Sequence, residues 1–280
     1  MKSNEEFFEA QDGLKLLERS WLPRGGPRAA VVIVHGYAEH SGRYHHVAER
    51  LVAHRYAVYA FDLRGHGRSE GARTFVRSLD EHAADLDGFL ARVRERVPDV
   101  PLFLLGHSMG GTIVALFLTS GERALHGAIL SGPALTLPGG ISRVPQALLS
   151  GLGRFVPKLP LRQLGGEEIS RDQAVVAEYE RDPLVFRGRM PAATVAAMIR
   201  AIRAIEAQME SITLPLLLLH GTSDSLTDPG GSVLLHERAR SPDKTLKLYD
   251  GLYHEVLNEP EKERVLADLT RWLDAHTAKR

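Results

Sequence analysis

The chain has 280 residues, of which 44% are hydrophobic, and its 35 Lys and Arg residues balance its 35 Asp and Glu residues. This length suits one large α/β domain with an insertion, and the balanced charge argues against a nucleic-acid-binding protein. The absence of cysteine excludes disulfides, thiol catalysis and cysteine-based metal sites.

The first residues, MKSNEEFFEAQDG, are acidic and polar and lack the apolar run of a signal peptide. No apolar run reaches the length of about 18 residues that a membrane-spanning helix needs, so we predict none. These features predict a cytoplasmic protein and leave peripheral association with membranes open.

Short apolar runs alternate with helical patterns through the first half of the chain. KLLERSWLP (15–23) predicts antiparallel edge strands, and AAVVIVHG (29–36) and YAVYAFDLRGHG (56–67) predict buried strands. YHHVAERLVAH (44–54) has apolar residues at helical spacing. DEHAADLDGFLARVRERV (80–97) predicts a long amphipathic helix that Asp80 caps and Pro98 ends.

The same alternation continues to the end of the chain. PLFLLGHS (101–108), HGAILSGPA (126–134), LPLLLLHG (214–221) and DKTLKLYDG (243–251) predict four further strands. Helices are predicted after the first of these, at MGGTIVALFLTSG (109–121), and at the end, from about Glu261 to His276. Strands that alternate with helices predict βαβ units and a mostly parallel sheet covered on both faces.

Residues 137–211 break this rhythm, because they are rich in proline and glycine and too long for a simple connection. We predict an inserted cap or lid at 137–211 and a core formed by residues 1–136 and 212–280. In a doubly wound sheet such a connection lies above the carboxyl edge of the strands, where ligands bind. The alternative is a small second domain without a catalytic role.

The stretch LLGHSMGGT places Ser108 in a G-x-S-x-G pattern between a predicted strand and a predicted helix. This is the context of a nucleophile elbow, in which glycines remove the side chains that would collide at a sharp turn. The alternative is a glycine turn whose serine only bonds the backbone. His107 adjoins the serine, but we expect its side chain to point away and to pack within the turn.

A serine nucleophile needs a base and an acid that orients the base, and in this fold they follow the serine in the order acid, then histidine. Asp224 follows a predicted strand directly, whereas Asp228 precedes Pro229 and is typical of a helix N-cap, so Asp224 is the better candidate for the acid. His254 follows the next strand and is the predicted base.

The oxyanion of the reaction requires backbone N–H donors. One is predicted at Met109, the residue after the nucleophile, and the other at Tyr37, in the loop after the strand at 29–36.

The glycine-rich stretch FDLRGHGRSEG (61–71) does not match a phosphate-binding loop, since no G-x-x-x-x-G-K-[ST] pattern is present. It predicts a shaped turn beside the site. The histidine pairs His45–His46 and His35–His40 lack the spacing of a metal site. We therefore expect no cofactor and no metal.

Several motifs together resemble the monoacylglycerol lipases, a lysophospholipase-like family of serine hydrolases in the α/β-hydrolase superfamily. They are HGYAEHSGRYHHVAERL, FDLRGHGRSEG, LLGHSMGG, DPL at Asp182, LLLLHGTSDSLTD and YDGLYHEVLNEPE. The resemblance runs from about Ala30 to Leu273 and is weaker in the insertion.

The resemblance implies an α/β-hydrolase fold and a triad of Ser108, Asp224 and His254, with the oxyanion N–H groups of Tyr37 and Met109. It also implies that Glu39 and Arg43 lie near the pocket for the glycerol end of the substrate. Leu257 stands where some members carry a second histidine that helps to hold glycerol.

The family's apolar cap often contacts membranes, and VPQALLSGLGRFVPKLPL (144–161) fits an apolar lid flank that could touch a membrane surface transiently. Ordinary packing of the cap onto the core is the alternative.

The leading hypothesis is hydrolysis of a monoacylglycerol, or a similar single-chain lipid ester, to fatty acid and glycerol through an acyl-enzyme. A broad carboxylesterase, a lysophospholipase or another hydrolase of the same fold is the alternative among enzymes. A catalytically silent binding protein of this fold is the alternative from another class.

Overall fold

The computed structural model describes residues 3–121, 124–136, 155–162 and 165–277. Its strands are β1 (Asn4–Glu9), β2 (Lys15–Trp21), β3 (Ala29–Val34), β4 (Tyr56–Phe61), β5 (Leu102–His107), β6 (Gly127–Ser131), β7 (Pro160–Arg162), β8 (Met190–Pro191), β9 (Leu216–Gly221) and β10 (Lys244–Tyr249). Eight of them form one sheet in the order β1-β2-β4-β3-β5-β6-β9-β10, while β7 and β8 pair separately.

The sheet is mostly parallel, as predicted. Strands β4, β3, β5, β6, β9 and β10 run parallel, and β2 joins β4 antiparallel. Strand β1 pairs antiparallel with β2 at the edge, so the predicted edge strands at 15–23 are joined by a further strand that the polar sequence NEEFFE did not suggest. Strands β3, β4, β5 and β9 are buried throughout, because both of their faces are covered.

The helices flank the sheet or lie in the segment between β6 and β9. They are α1 (His45–Ala53), α2 (Leu79–Arg96), α3 (Met109–Thr119), α4 (Gln173–Arg181), α5 (Ala192–Gln208), α6 (Pro229–Arg238) and α7 (Lys262–Thr277). Buried residues of α1 and α7 form one apolar layer, and those of α2, α3, α5 and α6 form the layer on the opposite face. The predicted α/β architecture is therefore confirmed.

The first turn of α2 differs from the prediction in the residue that caps it. The helix begins one residue before Asp80, and its N-cap is Ser78, whose side chain accepts a hydrogen bond from the Asp80 N–H at 3.2 Å. A serine hydroxyl caps a helix as well as a carboxylate does. Asp80 instead lies in the first turn, where its charge faces the positive end of the helix.

The order of the strands reverses at β3, since β4 lies on one side of it and β5 on the other. Ligands bind in such folds at the carboxyl edge next to this reversal. The loops after β3 and β5, which carry Tyr37 and Ser108, leave the sheet at this point.

The described residues between β6 and β9 divide into two parts. Helix α4 contributes Val176 and Tyr179 to a small apolar cluster that also contains Ile169 and Val185. Helix α5 lies against α3 and shares its apolar layer through residues such as Ala197 and Ile205. In the described ranges, no helix is both long enough and apolar enough to span a bilayer.

Candidate active site

Ser108 lies in a sharp turn between β5 and α3, with a backbone φ of 53°, which residues other than glycine rarely adopt. The neighbouring glycines make this turn possible. A Cβ on Gly110 would lie 2.1 Å from the Val34 carbonyl oxygen, and one on Gly106 would lie 2.6 Å from the Gly110 carbonyl oxygen. Because these obstacles are backbone atoms that cannot move aside, the G-x-S-x-G spacing is a steric requirement here.

Asp224 and His254 meet beside this turn. The Asp224 Oδ2 lies 2.7 Å from the His254 Nδ1, which leaves the Nε2 of the ring for another partner. The Asp224 Oδ1 accepts hydrogen bonds from the N–H groups of Leu226 and Thr227, at 2.8 and 2.9 Å. Asp228 caps α6 by accepting from the Gly230 N–H, so it has the capping position that its sequence context indicated.

The sequence reasoning missed two further partners of the Asp224 carboxylate. The His220 Nε2 lies 3.1 Å from Asp224 Oδ2, and the Thr227 hydroxyl donates to the same oxygen at 2.8 Å. The Ser232 hydroxyl lies 2.8 Å from the His220 Nδ1. Burial acts to raise the pKa of Asp224, but the hydrogen bonds from His220 and His254 hold this pKa well below its usual range. The spacing H-G-x-x-D was the available signal for His220.

His107 differs from the expectation that its side chain points away from the site. Its ring packs against that of His254, with centroids 4.8 Å apart, and its Nδ1 lies 3.3 Å from the Ser131 Oγ. Burial and the neighbouring His254 lower the pKa of His107 to about 4. His107 is therefore a neutral packing partner in the wall of the site.

The loop after β3 packs directly on the turn of Ser108. The Gly36 N–H donates to the Glu39 Oε1 at 2.6 Å, and a Cβ on Gly36 would lie 3.1 Å from the Ser108 Cβ. Tyr37 follows in this loop, and Met109 begins α3, where the first N–H groups have no acceptor within the helix. The two predicted N–H donors thus belong to segments that touch each other.

Glu39 and Arg43 belong to a buried ion cluster that includes Glu255, which the sequence reasoning missed. Arg43 donates to Glu39 Oε2 at 2.8 Å and to both oxygens of Glu255 at 2.6 and 2.7 Å. Tyr44 donates to Glu39 Oε1 at 2.8 Å, and Asn258 donates to Glu255 Oε2 at the same distance. We call these three charged residues, Glu39, Arg43 and Glu255, the charge cluster.

Ser108 and His254 line one cavity, together with Gly36, Tyr37, Glu39, His107, Ile169, Tyr179, Leu226 and Glu255. Arg43 lies behind this wall, with its guanidinium 4.9 Å from the centre of the Tyr179 ring. Leu257 is buried in the apolar layer of α1 and α7, so this position contributes no polar group to the cavity.

The glycine-rich loop after β4 is held by internal hydrogen bonds. The buried Asp62 carboxylate accepts from Arg19, from Ser41 and from the Arg68 N–H. The His35 Nε2 accepts from the Leu63 N–H at 2.9 Å and thereby ties this loop to the end of β3. These contacts fit the predicted shaped turn.

The predicted lid flank at 144–161 lies partly outside the described residues, which resume at Phe155. In the part that is described, apolar side chains face solvent. Phe155 is 80% exposed, and Val156, Leu159 and Leu161 are each more than 40% exposed.

Comparisons with known proteins show which family this chain belongs to. Residues 25–261 match the family described as serine aminopeptidase, S33. A monoacylglycerol lipase of Mycolicibacterium smegmatis is 42% identical over 273 residues, which are 98% of both chains. The monoglyceride lipase of Mus musculus is 36% identical over 95% of this chain and 89% of its own. A crystal structure of a soluble variant of the monoglyceride lipase of Saccharomyces cerevisiae with a substrate analogue matches with a TM-score of 0.86 and 26% identity, covering 100% of this chain and 97% of that chain.

Proposed function

The chain belongs to the serine aminopeptidase S33 family of serine hydrolases, and on this premise we propose that it cleaves monoacylglycerols into fatty acid and glycerol, with Ser108 as the nucleophile. The observation that carries the proposal is the 2.7 Å contact of Asp224 with His254 beside the strained turn of Ser108. A carboxylate, an imidazole and a serine at such a turn are the parts of an acyl-transfer site.

In the first half of the reaction the Ser108 hydroxyl attacks the ester carbonyl, while the His254 Nε2 takes the hydroxyl proton. Asp224 holds the Nδ1 of the ring and stabilises the imidazolium that forms. The N–H groups of Tyr37 and Met109 stabilise the oxyanion, a contribution of about 10²–10³ in kcat for each such donor. The intermediate then collapses to an acyl-enzyme, and the alcohol leaves with the proton from His254.

In the second half water replaces the alcohol. His254 takes a proton from the water as it attacks the acyl carbon, and the proton returns to Ser108 when the fatty acid leaves. Neither half needs an oxidant or reductant.

Residues 137–211 are proposed as a cap on a core of residues 1–136 and 212–280. Hydrogen bonds from the described part of this segment support the proposal. The Ile169 carbonyl accepts from the Glu255 N–H, next to His254, and the Phe186 N–H donates to the Ala38 carbonyl, next to Tyr37, both at 2.8 Å. The segment thus touches the loop of the base and the loop of Tyr37, one of the two proposed oxyanion donors.

The exposed apolar residues of the cap support transient contact with a lipid surface, from which a single-chain ester would be taken up. Phe155 and its neighbours present apolar area beside the exposed Lys158. In cosedimentation with phosphatidylglycerol vesicles, Phe155→Ser should lower the bound fraction. Phe7→Ser, which removes a 48% exposed phenyl ring on β1, is the matched control and should leave binding unchanged. Equal loss in both variants would contradict contact through the cap.

The activity is tested by kcat/KM on monoolein, diolein, lysophosphatidylcholine and p-nitrophenyl butyrate. Monoolein should be the preferred lipid, and Ser108→Ala should lower kcat by about a millionfold. Ser120→Ala, at the other end of α3, is the control and should retain activity. Activity in the Ser108 variant would overturn the nucleophile, and equal rates on the three lipids would overturn the substrate.

A further inference from the structure

The charge cluster of Glu39, Arg43 and Glu255 holds more carboxylates than its cation can neutralise. The side chains of Glu39, Arg43 and Glu255 are only 4%, 11% and 6% exposed. One guanidinium therefore stands between two buried carboxylates, and the fully ionised cluster carries one net negative charge.

The hydrogen bonds of the cluster keep all three groups ionised. Burial acts to raise the pKa of both carboxyls, but the adjacent Arg43 guanidinium holds the pKa of Glu39 and that of Glu255 below their usual range. Burial would likewise lower the pKa of Arg43, and the two carboxylates raise it well above its usual value.

This cluster forms a wall between two cavities. Glu39 and Glu255 line the cavity of Ser108, while Arg43 lines an outer cavity of about 390 Å³. Tyr179 lines both. The outer cavity is large enough for a small polar group. Its lining also includes Lys262 and the carboxylates of Glu178 and Asp182, and Asp182 is bonded to His40 at 2.8 Å.

We propose that the charge cluster selects substrates whose leaving alcohol is uncharged, and that Glu255 is the specificity-determining residue that makes the cluster net negative. This inference rests on the proposed hydrolysis of monoacylglycerols. Glycerol hydroxyls can donate hydrogen bonds to carboxylate oxygens at no electrostatic cost, whereas a phosphate on the same alcohol would bring a second anion beside a buried anion. The enzyme should therefore reject 1-acylglycerol 3-phosphates.

The size of the effect follows from Coulomb's law. For an assumed separation of about 8 Å between the net charge and the phosphate, and an effective dielectric constant of about 20, the repulsion lowers kcat/KM for the anionic substrate about 30-fold. Because the cluster is buried, added salt screens it little. Replacing Glu255 by glutamine removes the net charge while keeping the shape of the side chain.

The first experiment varies the substrate and leaves the protein unchanged. We would measure kcat/KM for 1-decanoylglycerol, its 3-phosphate, and a 1-decanoyl ester whose third carbon carries a trimethylammonium group, all below their aggregation concentrations. The phosphate should react at least about tenfold more slowly than the neutral ester, and the cation should not be penalised. A phosphate ester that reacts as fast as the neutral ester would overturn the inference.

The second experiment varies the charge of the protein. We call the ratio of kcat/KM for the neutral ester to kcat/KM for the phosphate ester the gap. Glu255→Gln should narrow this gap by about 30-fold, whereas Glu255→Asp, which retains the charge, should keep it. Glu180→Gln removes an exposed carboxylate of α4 and should keep the gap within about twofold, because solvent screens that position.

The outcomes separate this inference from the proposed function. If the wild-type protein does not hydrolyse 1-decanoylglycerol, the proposed function fails. If it does so but Glu255→Gln leaves the gap unchanged, or Glu255→Asp closes it equally, only the role of the Glu255 charge fails. Thermal unfolding of each variant shows whether it is folded. The first experiment uses only the wild-type protein, so it tests the inference even if the variants do not fold.

Discussion

The protein should lose stability between pH 7.5 and pH 5 because three buried histidines cannot be protonated in the folded state. Burial lowers the pKa of His66 and that of His82 to about 3, and burial with the neighbouring His254 lowers that of His107 to about 4. In the unfolded chain each titrates near pH 6.5. The unfolded state therefore binds more protons in this range, and stability falls as the pH drops below about 6.5.

The magnitude follows from the difference between the folded and unfolded pKa values. At pH 5 a histidine with an unfolded pKa of 6.5 and a folded pKa of 3 or 4 costs about 2 kcal/mol. The three together cost about 6 kcal/mol, which is comparable with the whole stability of an ordinary domain. Carboxylates with lowered pKa values, such as Asp62 and Asp224, add their loss only at lower pH.

Urea unfolding followed by circular dichroism at pH 7.5 and pH 5 measures this loss. His82 offers the single-residue test, because it lies on α2, away from the site, and within the described residues its buried Nε2 has no hydrogen-bond partner. His82→Leu should reduce the loss by about 2 kcal/mol, since leucine cannot take up a proton in the unfolded chain. An equal free energy of unfolding of the wild type at both pH values, or an undiminished loss in the variant, would refute the reasoning.

Two further predictions concern the site. Gly110→Ala should destabilise the fold by more than about 4 kcal/mol or prevent folding, since its Cβ would lie 2.1 Å from the Val34 carbonyl oxygen. Gly88→Ala in α2 is the control, because no atom lies within 4 Å of the added Cβ, and it should raise the free energy of unfolding by about 0.5–1 kcal/mol. Thermal unfolding distinguishes the two, and equal midpoints would contradict the steric argument. His220→Leu should lower kcat about tenfold with little change in KM, because Asp224 loses a donor that positions it. His220→Gln should restore part of the rate. An unchanged kcat in His220→Leu would show that the contact does not position the acid.

Local patterns were enough to predict the architecture and to propose the triad. Continuous apolar strands such as Ala29–Val34, alternating with helical patterns, indicated a parallel sheet with two covered faces, because only buried strands avoid polar residues on both sides. Ser108, Asp224 and His254 each follow a predicted strand of the parallel sheet, which indicated that all three lie at one edge, since parallel strands all end there. Local patterns also gave a wrong N-cap for α2, because serine and aspartate stabilise a helix N-terminus by nearly equal amounts.

Periodicity and strand direction can be read from the amino-acid sequence, and they predict which backbone elements form and which edge of the sheet holds the catalytic residues. The partners of the buried charges, in contrast, depend on the packing of distant segments. Arg43 and Glu255 are 212 positions apart in the chain, and nothing in either segment indicates that they meet or that Glu39 shares the same guanidinium. The partners of a buried ion depend on how the segment before α1 packs against the His254 loop, so the net charge beside Ser108 is a property of the folded molecule.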